Sequence, residues 1–198
     1  MENEEEVILK VSSSKEKGYS KKVASAMGWR LREVGYCRAR AIQAVAVNSM
    51  IKAVAITNER VKSAGIKFGI APVFGKAEAT DDPLAVAISI MIEAVANDPP
   101  KALNECKVSG KKDEGDHEAA TRLSKAVIGM SSTGGMVSMK CIGPEAVYRA
   151  VLASVMARSN AYANGMEAMI VPSWETAETK SGKTSLIRID FWLVKGEK

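Results

Sequence analysis

Histidine appears once among the 198 residues, as His117, so no imidazole cluster can gather around a metal ion. Cysteine is nearly as scarce. Cys37, Cys106 and Cys141 lie far apart with no Cys-x-x-Cys pair, which excludes a zinc ribbon or a disulfide framework and favours a reducing compartment. Aromatic residues make up only 5% of the chain, so Ala, Val, Ile and Met have to fill most of a core. No apolar run approaches the roughly 18 residues of a membrane span. The acidic opening MENEEEVILK has neither the basic start and long apolar centre of a secretory signal nor the acid-poor composition of a transit peptide. The expectation is a soluble protein of the cytoplasm, nucleoid or nucleus, without membrane contact. An organelle fits only if a transit peptide was removed beforehand.

Catalytic motifs are equally thin. SGKTS, residues 181–185, imitates the end of a phosphate-binding loop. That motif needs a glycine where Ala177 stands and a helix afterwards, whereas the pattern here continues as a strand. Asp113, Glu114, Asp116 and Glu118 do not match a calcium loop. His117 lies among them and reads as a solvent position at a helix start. Cys141 falls in an apolar strand and reads as inert core. No catalytic residue, metal or cofactor is expected.

What the chain does have is ordinary globular composition, 46% hydrophobic and 26% charged, with a net charge of +5. It also has an internal echo. GIKFGIAPVF (65–74) and GMEAMIVPSW (165–174) both begin with Gly, place Pro eighth (Pro72, Pro172) and follow it with an aromatic (Phe74, Trp174). Upstream, VILKVS (7–12) matches NECKVS (104–109). Each is followed by a polar, lysine-containing stretch and then a helical pattern. Val23, Met27, Leu31 and Val34 fall on one face in the first half; Ala120, Leu123, Val127 and Met130 do so in the second. Ser20 and Asp116 are candidate caps. Gly35 and the pair Gly134-Gly135 sit where these helices should stop.

Strands RAIQAVA (40–46) and VSMKCIG (137–143) lead into second helices. Val47, Met50, Ile51, Val54 and Val61 stripe one of them. Val147, Val151, Leu152, Val155 and Tyr162 stripe the other. Gly65 and Gly165 end them. In SLIRIDFWLV (185–194), Ile187, Ile189, Phe191 and Leu193 alternate with Leu186, Arg188, Asp190 and Trp192, a half-buried strand. LAVAISIMIEAV (84–95) is its counterpart, with Ile88, Ile90 and Ile92 on one face. The reading is α+β, a β-α-β-α-β-β unit present twice. Residues 1–96 form the first domain and 103–198 the second, joined by a linker at 97–102 around Pro99-Pro100.

The second half, with IGPEAVYRAVLASVMAR (142–158), GMEAMIVPSW and GKTSLIRIDFWLV (182–194), resembles the stage V sporulation protein S (SpoVS) family. The first half resembles it through LKVS (9–12), LREVG (31–35), AIQAV (41–45), KAVAI (52–56) and the Pro72/Phe74 strand. The resemblance implies Alba-like domains, small mixed sheets with two helices packed on one face. It also implies DNA or RNA binding, and pairing through the second helices and following strands. That pairing is either self-association or an intramolecular pseudo-dimer. The first unit departs from the pattern: it lacks the Ile-Gly turn of Ile142-Gly143 and reads as shorter there.

Charge supports the same function independently. From Lys15 to Arg40 there are eight cations, among them Lys15, Lys17, Lys21, Lys22, Arg38 and Arg40, against only Glu16 and Glu33. A helix start surrounded by lysines suits phosphate. Arg38 and Arg40 should share one strand face. Lys111 and Lys112 occupy the matching loop of the second unit, and Lys180 and Lys183 its last hairpin. In the first hairpin, Lys76 is outnumbered by Glu78, Asp81 and Asp82. Trp29, Trp174 and Trp192 can either stack on bases or cover a core edge. The expectation is a non-enzymatic nucleic-acid binder making largely sequence-independent phosphate contacts. The alternative is an interaction or scaffold subunit without nucleic-acid contact.

Overall fold

The computed structural model describes residues 7–75, 87–95, 102–111, 115–132, 135–179 and 182–195. The first unit runs β1 (Ile8–Val11), α1 (Tyr19–Val34), β2 (Tyr36–Ile42), α2 (Gln43–Val61), β3 (Phe68–Gly75) and β4 (Ala87–Ala94). The second runs β5 (Ala102–Val108), α3 (Asp116–Ser131), β6 (Met136–Cys141), α4 (Pro144–Ala163), β7 (Met166–Thr179) and β8 (Gly182–Lys195). The order β-α-β-α-β-β therefore occurs twice. The proposed linker lies outside the described residues except Ala102, which already belongs to β5.

All eight strands form one mixed sheet in the order β1-β2-β4-β3-β7-β8-β6-β5. Within each unit the first two strands are parallel and the rest antiparallel. The helices cover one face. On that face Cys37, Ala39, Ala41, Ile88, Ile90 and Ile92 lie beneath the helices of the first unit and Val137, Met139, Ile187, Ile189 and Phe191 beneath those of the second, while Ile70 lies on β3, which packs mainly against α4, all in one continuous core. The period-two reading of β4 and β8 thus identified the buried face of each.

The units join where β3 runs antiparallel to β7, at the single pair Ile70–Ile170. The two prolines explain why the ladder is so short. Phe68 N–H donates to Asn58 Oδ1 at 2.7 Å, and Asn58 Nδ2 donates to the Phe68 carbonyl at 3.0 Å and the Pro172 carbonyl at 3.1 Å. Both backbone groups of Phe68 therefore face the seam. Alternation along a strand puts those of Ile70 and Pro72 there too. Pro72 and Pro172 direct their missing donors at the seam rather than into their own unit's ladder, which is where an edge strand tolerates proline. The Gly-to-Pro echo in the sequence is the signature of this edge.

Several local expectations need correction. The first unit is not shorter at its second helix. Ile42 and Gln43 stand one for one against Ile142 and Gly143, and Gln43 adopts φ 67° where Gly143 has φ 88°. The length difference lies upstream: Gly35 alone separates α1 from β2, while residues 132–135 separate α3 from β6. RAIQAVA does not stay a strand, because α2 begins at Gln43. Val34 is 42% exposed and leaves its stripe at the helix end, as does Tyr162, exposed near the end of α4. Ser20 and Asp116 are not caps; Gly18 and Gly115 hold those positions without a side-chain hydrogen bond. Gly35 does terminate α1, its N–H donating to Leu31 with φ 81°, whereas α3 ends at Ser131 with Ser132 as its cap. Among the described residues no helix is long and apolar enough to cross a membrane.

Candidate nucleic-acid interface

Opposite the helices the sheet presents a second face, and the two units dress it differently. In the second unit the charges close on one another. Lys140 Nζ lies 3.2 Å from Glu105 and 3.0 Å from Glu175. Glu175 first and Glu105 second hold its ammonium above the ordinary lysine range. Arg188 Nε donates to Asp190 at 2.7 Å, and its Nη2 to Ser138 Oγ at 2.8 Å. Ser138 donates in turn to Asp190 at 2.6 Å.

The first unit carries cations at the same end without those acids. Arg38 pairs with Ile8 and Arg40 with Lys10 along β1–β2. Arg38 and Arg40 are half-buried and alternate with buried Cys37, Ala39 and Ala41, so they do share a face. Arg40 stands at the position of Lys140. The positions of Glu105, Glu175 and Asp190 are taken by Ile8, Gly75 and Met91. A Cβ at Gly75 would lie 2.6 Å from Ser89 Oγ, so a side chain there needs the Ser89 hydroxyl to turn aside.

The loop and helix that follow β1 continue the contrast. Lys15 and Lys17 are exposed in the loop, and Lys21 and Lys22 in the first turn of α1. That turn contains no acidic residue. The matching turn of α3 begins Asp116-His117-Glu118. Free N–H groups at a helix start favour anions, so acids suit α3 and the lysines of α1 are locally unfavourable. Lys22 is tied to Glu16. A cleft of about 330 Å³ opens beside this loop, lined by Lys10, Ser12, Ser13, Arg40 and Gln43.

In the second unit the corresponding space is closed. A Cβ at Gly110 would lie 3.2 Å from the Ala146 nitrogen at the start of α4. Arg149, 3% exposed, anchors the loop. Its Nε donates to Asp116 at 2.7 Å and its Nη1 to the Ser109 carbonyl at 2.9 Å. The first unit instead ties its loop with Tyr19, whose hydroxyl accepts from the Ser12 N–H at 2.9 Å.

Lys111 is exposed on the closed loop, and Lys183 is exposed on β8 opposite Glu178. Lys112, Lys180 and the first-hairpin residues Lys76, Glu78, Asp81 and Asp82 lie outside the described residues. His117 is exposed at a helix start. Gly182 opens β8 rather than a helix, so SGKTS is no phosphate loop. Burial pushes the Cys37 thiol up to about 11 and the Cys141 thiol higher still. Trp192 is 4% exposed in a small cluster with Met136 and Val171, whereas Trp29 and Trp174 are exposed. Sequence reasoning missed Lys10, Lys52, Lys62 and Lys67. Lys10 was visible as the alternate position to Ile8 in a four-residue strand; the other three acquire meaning only from the neighbouring unit.

The family model for stage V sporulation protein S (SpoVS) matches twice, over residues 7–95 and 107–193. No curated protein matches the chain. The two matches span most of the sequence and coincide with the two structural units.

Proposed function

From this chain's membership of the stage V sporulation protein S family, in tandem, we propose that it binds DNA or RNA without catalysis, through the basic end of its first unit. The observation that supports this most is the gathering of cations on adjacent elements of the first unit. Lys10, Arg38 and Arg40 on the sheet, Lys15 and Lys17 in the loop, and Lys21 and Lys22 on α1 gather at one end of β1 and β2. The equivalent end of the second unit is neutralised internally. Cations kept where a helix start disfavours them have a rationale if phosphate supplies the missing negative charge. Contacts of this kind read charge and shape rather than base identity. The second unit, with Lys111 and Lys183 as lesser contributors, serves chiefly as scaffold.

The test is binding to a random duplex and to single-stranded RNA at two salt concentrations. Salt-sensitive binding that collapses when Lys21 and Lys22 are both changed to Glu supports the reading. Absence of binding at low salt, with a stable oligomer or a co-purifying protein, supports a scaffold subunit instead.

A further inference from the structure

The seam between the units creates a cleft that neither unit has alone. It measures about 620 Å³, within the range of small-ligand sites. The end of α2 forms one wall, residues 65–67 the next, and the edge of β7 the third. Asn58 fixes the junction through its bonds to Phe68 and Pro172. Trp174, 40% exposed, stands on the β7 wall. Lys52 places its ammonium 5.9 Å from the centre of the Trp174 ring. Lys62 and Lys67 also line the cleft. Among the described residues the one carboxylate lining the cleft is Glu59, 3.7 Å from Lys62.

The pseudo-symmetric mouth keeps an exposed aromatic, Phe74 at 49%, but not the tryptophan or the three lysines. Phe74 stands for Trp174, Leu152 for Lys52, Tyr162 for Lys62 and Glu167 for Lys67. Arg158 stands for Asn58 and is closed by Glu167 at 2.7 Å. One mouth therefore combines a large exposed π-surface with three cations, and its twin does not. Such a pairing fits a ligand that is flat and aromatic at one end and anionic at the other.

We propose that the cleft takes an unpaired base of a single-stranded nucleic acid, stacked on Trp174, with the adjoining phosphates held by Lys62 and Lys67. This rests on the nucleic-acid reading above and adds to it a preference for unpaired strands. A duplex keeps its bases stacked inside and cannot offer one to Trp174, whereas aromatic stacking accepts any exposed base.

The experiment uses the full chain with Trp29→Phe, leaving Trp174 as the exposed tryptophan, and two probes, a twelve-nucleotide oligothymidylate and a twelve-base-pair duplex. Oligothymidylate should quench the tryptophan emission and the duplex should not. Trp174→Ala should weaken oligothymidylate binding about 5- to 150-fold, Trp174→Phe much less, and duplex affinity should stay within about twofold. Unchanged emission together with unchanged oligothymidylate affinity in Trp174→Ala, while the duplex still binds, overturns the subsite and leaves the basic face standing. Quenching by the duplex but not by oligothymidylate reassigns the cleft and overturns it too. If neither probe nor single-stranded RNA binds the parent chain at low salt, both readings fall.

Discussion

Ile70 lies opposite Ile170 across the seam, both fully buried, each occupying in its own unit the place the other holds in its own. The local two-fold relation of the molecule runs through this pair. Since the core is continuous on both sides of it, the units should unfold together. A single cooperative transition in denaturant is expected. Ile70→Ala and Ile170→Ala should each cost about 2–5 kcal/mol, and the double variant should depart from additivity because the side chains are neighbours. Two resolved transitions in the parent chain would falsify the shared core.

The turn into the second helix offers a sharper local test. Gln43 and Gly143 both have positive φ, and a Cβ at Gly143 would meet nothing closer than Glu145 Oε2 at 4.0 Å. Only backbone strain is then at issue. With φ 88° and ψ 166°, Gly143 lies in a region essentially reserved for glycine, so Gly143→Ala should destabilise by about 1–3 kcal/mol. Gln43→Gly should be neutral or stabilise by up to about 1 kcal/mol, because relief of strain offsets the entropy glycine loses on folding. Thermal midpoints that shift in the same direction for both would contradict this.

Arg149 and Asp116 should not be equivalent in a mutational cycle. The Arg149 side chain is 4% exposed and that of Asp116 42%. Arg149→Ala leaves the Ser109 carbonyl without this donor and opens a cavity, so a loss of about 3 kcal/mol or more is expected. Asp116→Asn keeps an acceptor in reach of water and should cost clearly less. Equal losses in chemical denaturation would mean that the ion pair, rather than the loop anchor, matters.

Charge reversals should follow the asymmetry of the two ends. Lys15, Lys17, Lys21 and Lys22 changed together to Glu should reduce duplex affinity at least about tenfold. The salt slope should fall by about 0.9 for each phosphate no longer neutralised. Lys111→Glu should have a much smaller effect. Titrations in which Lys111→Glu is the more damaging change would relocate the interface to the second unit.

The cysteines give a prediction in pH. Burial raises the Cys37 thiol from 9.0 to about 11 and moves Cys141 and the half-buried Cys106 in the same direction. Folded thiols stay protonated where unfolded ones ionise, so the unfolded state binds fewer protons above pH 9. Stability should therefore be unaffected by these groups below pH 9 and decline from there toward pH 11. Alkylation of the native protein at pH 8 should mark Cys106 before Cys37 and Cys141, as peptide mapping can establish.

Much of the fold was legible along the chain. Alternation at Ile187, Ile189 and Phe191 identified a buried strand face, and the Gly65/Pro72 and Gly165/Pro172 spacing revealed the copy. The basic run from Lys15 to Arg40 falls on one loop, α1 and β2 of the first unit. Boundaries were less legible. Gln43 sits in a left-handed conformation that its side chain does not advertise, so the strand pattern runs on into α2.

Periodicity reports which side of an element is buried, because burial repeats with the geometry of the backbone. It does not report which element lies across an edge, since edge pairing is made by N–H and C=O groups that nearly every residue carries. The sequence alone therefore determined two copies of one unit, their elements and their core faces. Only the tertiary structure decided that β3 meets β7, that Asn58 reaches Pro172, and that Lys52 rests over Trp174 of the other unit. Each of those contacts spans from one copy to the other, and no local pattern encodes that distance.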